Sequence, residues 1–531
     1  MDFDYVKKWI ASDPDEETKT ELQLLLDSGD QSTIEQLFSS RLSFGTAGLR
    51  AELGPGPMRM NRLVVGQTAK GIADFLKQHK SSYLNPDGLL TAVVGFDARK
   101  NSDVFAKDTA EIFQAEGIEV ELFDHHVPTP VVAFTARQRR SSVAVVVTAS
   151  HNPPNDNGYK VYLGGANGGS QIVPPQDAEI AKAIAEVKEL NPSNRSDKYK
   201  IIGEREVGLY LSRCAELAGE IRKSSLKIVY TAMHGVGWSS MKQIFTAAGF
   251  DQVFPVEEQI HPDPNFPTVK FPNPEEPGAM DLALAEAKRV SADLIIANDP
   301  DADRLAVGIP QENGFRMLSG NELGILLANF VASRESSGVM AASYVSTQQL
   351  VKLANSKGFE NELTPTGFKW IAKVNDLVFG FEEALGYCVD PKNTPDKDGL
   401  TAALFASLIA RDLAEQNTSI QQHLDEIAAE TGFYETGQIS IRLESMLQVG
   451  HLLDSIRSRS KSQDTIKDLA ATDPRLDMLE IRPTEHSRAL IRASGTEPKL
   501  KCYLEATGDS RKVAKEHLRA LEVEMKDFLE Q

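Results

Sequence analysis

Two short segments hold residues whose types and spacing could do chemistry. Thr148-Ala149-Ser150-His151-Asn152-Pro153 sets a hydroxyl on a turn after the apolar run Ser141–Val147, and Asp299-Pro300-Asp301-Ala302-Asp303-Arg304 sets three carboxylates at alternate positions after Ala292–Ala297. Three like charges this close repel unless a cation sits among them. A hard divalent cation such as Mg2+ takes oxygen ligands and leaves room for a phosphate oxygen. A serine oxygen that carries a phosphoryl group needs such a cation, because the charge of the moving phosphate has to be neutralised. The pair points to phosphoryl transfer. A calcium EF-hand fails as an alternative, since the sixth position is Arg304 rather than Gly and the twelfth is Pro310 rather than Glu. The serine segment has no flanking G-x-S-x-G of a nucleophile elbow, and taken alone it could be an ordinary turn bonding its own backbone.

Other loops supply groups suited to a phosphorylated ligand. Arg492-Ala493-Ser494-Gly495-Thr496-Glu497-Pro498-Lys499 joins two runs that read as strands. The backbone N–H groups of Ser494, Gly495 and Thr496 could form an anion nest and the Arg492 guanidinium a fork for phosphate; a plain hairpin turn would read the same way. Phe44–Arg50 is a second glycine-bearing loop that ends in a cation. In Phe379-Gly380-Phe381-Glu382-Glu383-Ala384-Leu385-Gly386 two acids follow a short strand, and ionised carboxylates, being acceptors only, suit sugar hydroxyls and repel phosphate. Asn157-Gly158-Tyr159-Lys160 reads as a turn whose lysine could fold back toward Ser150, and Thr364–Lys369 as a loop before a helix.

The elements that must position these loops repeat. Leu89–Phe123, Leu226–Val256 and Val339–Leu363 each read as strand, amphipathic helix, helix-ending glycine and strand, with Gly117, Gly249 and Gly358 where a C-cap wants a left-handed residue. Such repeats predict three related αβ domains with mixed or mostly parallel sheets, and Ser150 falls at a strand's carboxyl end, where ligands bind in such sheets. Past a hinge near Glu430–Gly437 the pattern changes to alternating strands and an amphipathic helix from Ser510, a smaller α+β domain; Phe3–Ser40 reads as two short acidic helices. The expected domains are 1–200, 201–315, 316–430 and 431–531. A net charge of −19 disfavours nucleic acid but allows a small anion in a local positive cleft. Cys214, Cys388 and Cys502 fit no metal or disulfide spacing, and no apolar run approaches the ~20 residues of a membrane span, so the expectation is a cytoplasmic protein with no membrane partner.

Taken in order, the T-A-S-H-N-P loop, the aspartate triple, the Glu-Glu loop and the R-A-S-G-T-E-P loop resemble the α-D-phosphohexomutase family, which includes phosphoglucomutases and phosphomannomutases. The likeness covers nearly the whole chain and looks closest to the branch that holds phosphopentomutases and glucose-1,6-bisphosphate synthases. It implies an α/β fold of four domains around a central cleft, the first three related αβ units with mixed sheets and the fourth a smaller α+β domain. By this resemblance Ser150 is the phosphoserine, with His151 beside it; Asp299, Asp301 and Asp303 bind Mg2+ together with a phosphoserine oxygen; and Lys160 moves protons with Arg50 nearby. Glu382 meets the sugar hydroxyls, and Arg492, Ser494, Gly495 and Thr496 anchor the non-reacting phosphate. Arg304, Thr366, Gly367, Lys369, Lys397 and Lys501 are further implied substrate contacts. The implied cycle passes phosphate from phosphoserine to a phosphosugar, turns the bisphosphate end for end and returns the other phosphate to Ser150. Glucose 1,6-bisphosphate is the implied activator, and the implied assembly is a monomer or homodimer.

Two departures bear on the substrate. Pro300 and Ala302 stand where many relatives carry glycines, and Ala384 stands where many hexose-phosphate members carry a serine used on the sugar. A missing hydroxyl removes selectivity. Movement of phosphate between C1 and C6 of glucose, with mannose beside it, is therefore the leading expectation. Ribose 1-phosphate to ribose 5-phosphate conversion and glucose-1,6-bisphosphate synthesis are the alternatives. From other classes come a phosphatase with an aspartate nucleophile at Asp299 or Asp301 and a non-catalytic sugar-phosphate sensor.

Overall fold

The run before Ser150 is a strand, Val143–Val147, buried at every position, as β-branched side chains packed on both faces of a sheet require. It lies parallel to Thr91–Phe96, which continues parallel to Glu119–Phe123 and Lys200–Ile202. On its other side Asp156–Leu163 pairs antiparallel, followed antiparallel by Leu49–Glu52. A second sheet repeats the plan: Leu294–Asn298 runs parallel to Ile228–Thr231 and antiparallel to Leu305–Gln311. In a third, Val339–Ser343 lies parallel to both Glu360–Thr364 and Leu377–Glu382. The fourth is antiparallel throughout, in the order Phe433–Arg442, Lys499–Gly508, Ser487–Ala493, Leu479–Thr484, Ile466–Asp468. Helices Met446–Ser460 and Arg511–Glu530 cover it through Val449, Leu453, Leu521 and Met525.

This computed structural model describes residues 3–42, 48–188, 190, 194–460, 465–494 and 498–530. The chain forms two units: Met1–Met317 with Gly386–Leu408, which holds the first two sheets, and Leu318–Leu385 with Ile409–Gln531, which holds the third and fourth. The α/β class with a smaller α+β C-terminal part is as the sequence implies. Gly117, Gly249 and Gly358 all take positive φ, at 82°, 87° and 79°, as their C-cap reading requires.

Two readings need correction. The N-terminal segment forms three helices, Phe3–Ser12, Glu16–Ser28 and Gln31–Leu37, because Asp15 and Asp30 each cap a new helix through a side-chain oxygen. Lys160 does not follow a turn: it sits inside the strand Asp156–Leu163, opposite Val146, so the sheet itself delivers it. No helix among the described residues is long and apolar enough to cross a membrane.

Gly158 marks how tightly this region is packed. A Cβ there would lie 2.5 Å from the Thr148 carbonyl oxygen and 2.7 Å from that of Leu49. Gly158→Ala must push apart strands on both sides, and a loss of about 1–3 kcal/mol in denaturant unfolding is expected. A variant as stable as the wild type would show that the strands yield freely.

Candidate active site

Each central strand of the first three sheets runs into one of the chemical loops. Val143–Val147 leads to Ser150, Leu294–Asn298 to the aspartates, and Leu377–Glu382 ends on the first glutamate of the pair. Each loop also holds one non-glycine residue in the left-handed region: Ser150 at φ 51°, Ala302 at 57° and Leu385 at 64°. Such conformations cost about 1–3 kcal/mol each and persist where the surroundings over-determine them. Ala302 thus occupies a position that would favour glycine, and the substitution seen there costs backbone energy without displacing the aspartates.

In the first unit the serine and the aspartates meet. Ser150 is fully buried; its hydroxyl donates to Asp299 Oδ2 at 2.6 Å, and His151 Nδ1 lies 3.2 Å from Ser150 Oγ. Asp299, Asp301 and Asp303 are all buried and offer oxygens within 4.8 Å of one another, the only such group of three among the described residues. Lys160 Nζ bridges Asp301 Oδ2 and Asp303 Oδ2 at 2.7 and 2.6 Å, and Lys397 Nζ reaches Asp303 Oδ2 at 2.9 Å. The Arg304 N–H donates to Asp299 Oδ1 at 2.9 Å. Arg50 reaches Asn152 Oδ1 at 3.2 Å through one guanidinium nitrogen, while its buried Nε has no hydrogen-bond partner.

The electrostatics divide the three acids. Burial raises the pKa of Asp299, and the charges of Asp301 and Asp303 raise it further. Burial acts the same way on Asp301 and Asp303, but Lys160 outweighs it for both, helped by Thr129 at Asp301 and by Lys397 and Arg304 at Asp303, so both are held below the usual range. Burial opposes the charge on Lys160, yet Asp301 and Asp303 hold its pKa above the ordinary value. Burial, and then the charges of Arg304, Arg50 and Lys397, push the His151 pKa well below its ordinary value. Asp301 Oδ1 and Asp303 Oδ1 are buried and accept no hydrogen bond. Buried acceptors in that state are costly, and a divalent cation among the three carboxylates would satisfy them. The donor set, all hard oxygen, fits such an ion.

The second unit carries the other predicted groups. Glu382 Oε1 accepts from the Gly367 N–H at 2.8 Å, which ties the glutamate loop to Thr364–Lys369. Glu383 Oε2 instead accepts from Ser343 and Ser346 at 2.9 and 3.1 Å, so the two acids are held by different neighbours. The buried Thr366 Oγ1 has no hydrogen-bond partner, and Lys369 is buried with Nζ 5.8 Å from the Trp370 ring centre. Arg492 lies in Ser487–Ala493, directly opposite Lys501 on Lys499–Gly508. The Ser494 N–H donates to Lys499 O at 2.8 Å and closes the hairpin, so it is not free for an anion nest. Gly495 and Thr496 lie outside the described residues.

Comparison with known proteins agrees with this arrangement. Four segments match the phosphoglucomutase/phosphomannomutase domains: alpha/beta/alpha domain I over residues 41–191, domain II over 209–312, domain III over 319–431 and the C-terminal domain over 456–522. A probable phosphomannomutase of Haemophilus influenzae is 43% identical over 489 residues, covering 89% of this chain and 98% of its own. The chain belongs to the α-D-phosphohexomutase family. As such it is an intramolecular phosphotransferase. Human phosphopentomutase is 35% identical over 94% of this chain and 90% of its own, and human glucose 1,6-bisphosphate synthase 31% identical over 94% and 89%. A Burkholderia thailandensis member of the family shares the fold at a TM-score of 0.70 and 21% identity, covering 91% of this chain and 96% of its own. The Paramecium phosphoglucomutase parafusin does so at 0.69 and 17%, covering 92% and 96%.

Around this mutase's serine, several residues escape sequence reasoning. Thr129 donates its hydroxyl to Asp301 Oδ2 at 2.6 Å and its N–H to Asp301 O at 2.9 Å, tying the metal loop to the serine domain. Asp396 accepts from Tyr162 and Gln171 at 2.6 and 2.7 Å, and Asp398 from Tyr210 at 2.8 Å, so Lys397 is presented to Asp303 from between two anchored acids. The Asp396-Lys397-Asp398 alternation is the signal that was there to find. Lys160→Met leaves Asp301 and Asp303 without that charge. A loss of about 3–5 kcal/mol in metal-free unfolding is expected, shrinking when Mg2+ is added. A loss indifferent to Mg2+ would contradict a cation site at these carboxylates.

Proposed function

We propose that this mutase moves phosphate between C1 and C6 of a hexose, glucose 1-phosphate to glucose 6-phosphate with mannose phosphates beside it, through a phosphoserine at Ser150 and a bisphosphorylated sugar. The observation that carries this reading is the 2.6 Å bond from the Ser150 hydroxyl into a buried carboxylate triple in which Asp301 Oδ1 and Asp303 Oδ1 lack partners. Asp299, Asp301 and Asp303 would hold Mg2+, which would supply positive charge against the transferring phosphoryl group. In the first half-reaction the P–Oγ bond of phosphoserine breaks, a P–O bond forms to the sugar hydroxyl oxygen, and the hydroxyl proton ends on Ser150 Oγ; the second half-reaction reverses this at the other end of the sugar. Lys160, ion-paired to Asp301 and Asp303 of the metal loop, gives its proton to Ser150 Oγ as the P–Oγ bond breaks and takes one from the sugar hydroxyl as the new bond forms. Arg50, with a partnerless Nε, and His151 face the phosphoserine, and Arg304 and Lys397 add positive charge around it.

Glu382 accepts from the sugar hydroxyls, and Arg492 with Lys501 anchors the phosphate that does not react, with Thr366, Gly367, Lys369, Ser494, Gly495 and Thr496 contributing to substrate binding. Glucose 1,6-bisphosphate primes Ser150, and the location is cytoplasmic. A pentose phosphate is the second reading, and Ala384 favours it, since that position offers no hydroxyl to a hexose.

Turnover of glucose 1-phosphate, mannose 1-phosphate and ribose 1-phosphate, each with Mg2+ and a trace of the matching bisphosphate, tests the reading. Wild type should isomerise the hexose phosphates with the higher kcat/KM, Ser150→Ala should be inactive, and EDTA should abolish turnover. Highest kcat/KM on ribose 1-phosphate would replace the hexose with the pentose. Release of inorganic phosphate by an active Ser150→Ala would overturn the mutase cycle in favour of an aspartate phosphatase.

A further inference from the structure

The serine loop is gripped from the neighbouring strand by a residue with no assigned part in the reaction. Thr91–Phe96 runs parallel to Val143–Val147, and at its carboxyl end come Asp97 and Arg99, exposed by only 2% and 4%. One terminal nitrogen of Arg99 donates to Ser150 O and Asn152 O, both at 2.6 Å; the other donates to Pro153 O at 2.8 Å and Asp156 O at 3.1 Å. A single guanidinium thus collects four carbonyls of the serine loop. Its flat face rests on Phe266, 4.8 Å from the ring centre, a residue of the second αβ domain. The other side of the serine's backbone is fixed through the same neighbour: the Ser150 N–H donates to Thr148 Oγ1 at 2.8 Å, and that hydroxyl donates to Asp97 Oδ2 at 2.6 Å. Asp97 in turn accepts from Ser102 and from the Arg99 N–H at 2.7 and 3.0 Å.

We propose that Arg99, braced by Asp97, is the positioning residue that, with the Thr148 link from Asp97 to the Ser150 N–H, holds Ser150 in its left-handed conformation and so aims Oγ at the carboxylate triple. Four carbonyls turned to one point would repel one another and open the loop without a cation among them. A guanidinium suits the place because its planar fork offers several N–H groups in fixed directions, whereas a lysine ammonium is a compact point charge. Being buried, Arg99 meets neither sugar nor phosphate. Its effect passes through the position of Oγ alone, and a nucleophile displaced by about 1 Å can lose about 100-fold in rate. This inference rests on the phosphoserine reading.

The experiment compares wild type with Arg99→Lys in steady state and in single-turnover transfer from phosphoserine to sugar phosphate, counted per phosphoserine and beside thermal melts. The expected result is a fall of about 100-fold in kcat and in single-turnover transfer with KM unchanged. Unaltered transfer per phosphoserine, or a loss of activity that only mirrors a loss of folded protein, overturns the proposal. If Arg99→Lys does not fold, Thr148→Val decides: it removes the hydroxyl joining Ser150 N–H to Asp97, and should show the same split between kcat and KM, whereas wild-type rates overturn it. A wild type that never forms phosphoserine removes the underlying mutase reading. A wild type that forms it but transfers it no faster than Arg99→Lys removes the Arg99 role alone.

Discussion

Three carboxylates buried within 4.8 Å of one another are the constraint on which the first unit depends. Like charges at that spacing in a dry interior cannot stand without compensation. Compensation comes from every element in reach: Lys160 from a strand of the first sheet, Lys397 from the loop after Cys388, Thr129 from the start of a helix and Arg304 from the metal loop's own backbone. Even so, two carboxylate oxygens have no donor, and that residue of unmet demand is what a divalent cation would answer. The first two αβ domains are thereby joined through their chemistry, since the serine, the lysine and the threonine belong to one and the aspartates to the other.

Among the described residues with strained backbone, three fall in the candidate loops. Ser150, Ala302 and Leu385 lie at equivalent points of three sheets, each just past a strand end, and each takes a backbone conformation that its side chain disfavours. A repeated architecture has put its candidate loops at one position and over-determined them with hydrogen bonds. In the second unit the same device is gentler. Glu383 is braced by a serine pair and Glu382 by a backbone N–H, which fixes both acids as hydrogen-bond acceptors.

What the sequence disclosed was whatever is local. The aspartate alternation, the turn at Ser150, the glutamate pair and the C-cap glycines each lie within a few residues, so spacing alone makes them visible. The position of Lys160 was misread because Asn157-Gly158 looks like a turn, whereas Gly158 is there to let two carbonyls approach a strand. A third N-terminal helix was missed because Asp30 restarts the chain after Gly29, which a coarse reading joins across. Arg99 and Thr129 were out of reach, because their partners lie 51 to 172 residues away along the chain and nothing in their own neighbourhood marks them; the Asp396-Lys397-Asp398 alternation marks Lys397 but does not name Asp303 as its partner.

The central claim is that the phosphoryl group rests on serine, with the aspartates serving a cation. Its most direct test is the chemical identity of the covalent phosphoenzyme formed with labelled glucose 1,6-bisphosphate and Mg2+, trapped by acid and mapped by peptide. The account predicts an acid-stable phosphate monoester on the peptide that contains Ser150. A hydroxylamine-labile acyl phosphate on Asp299 or Asp301 would contradict it.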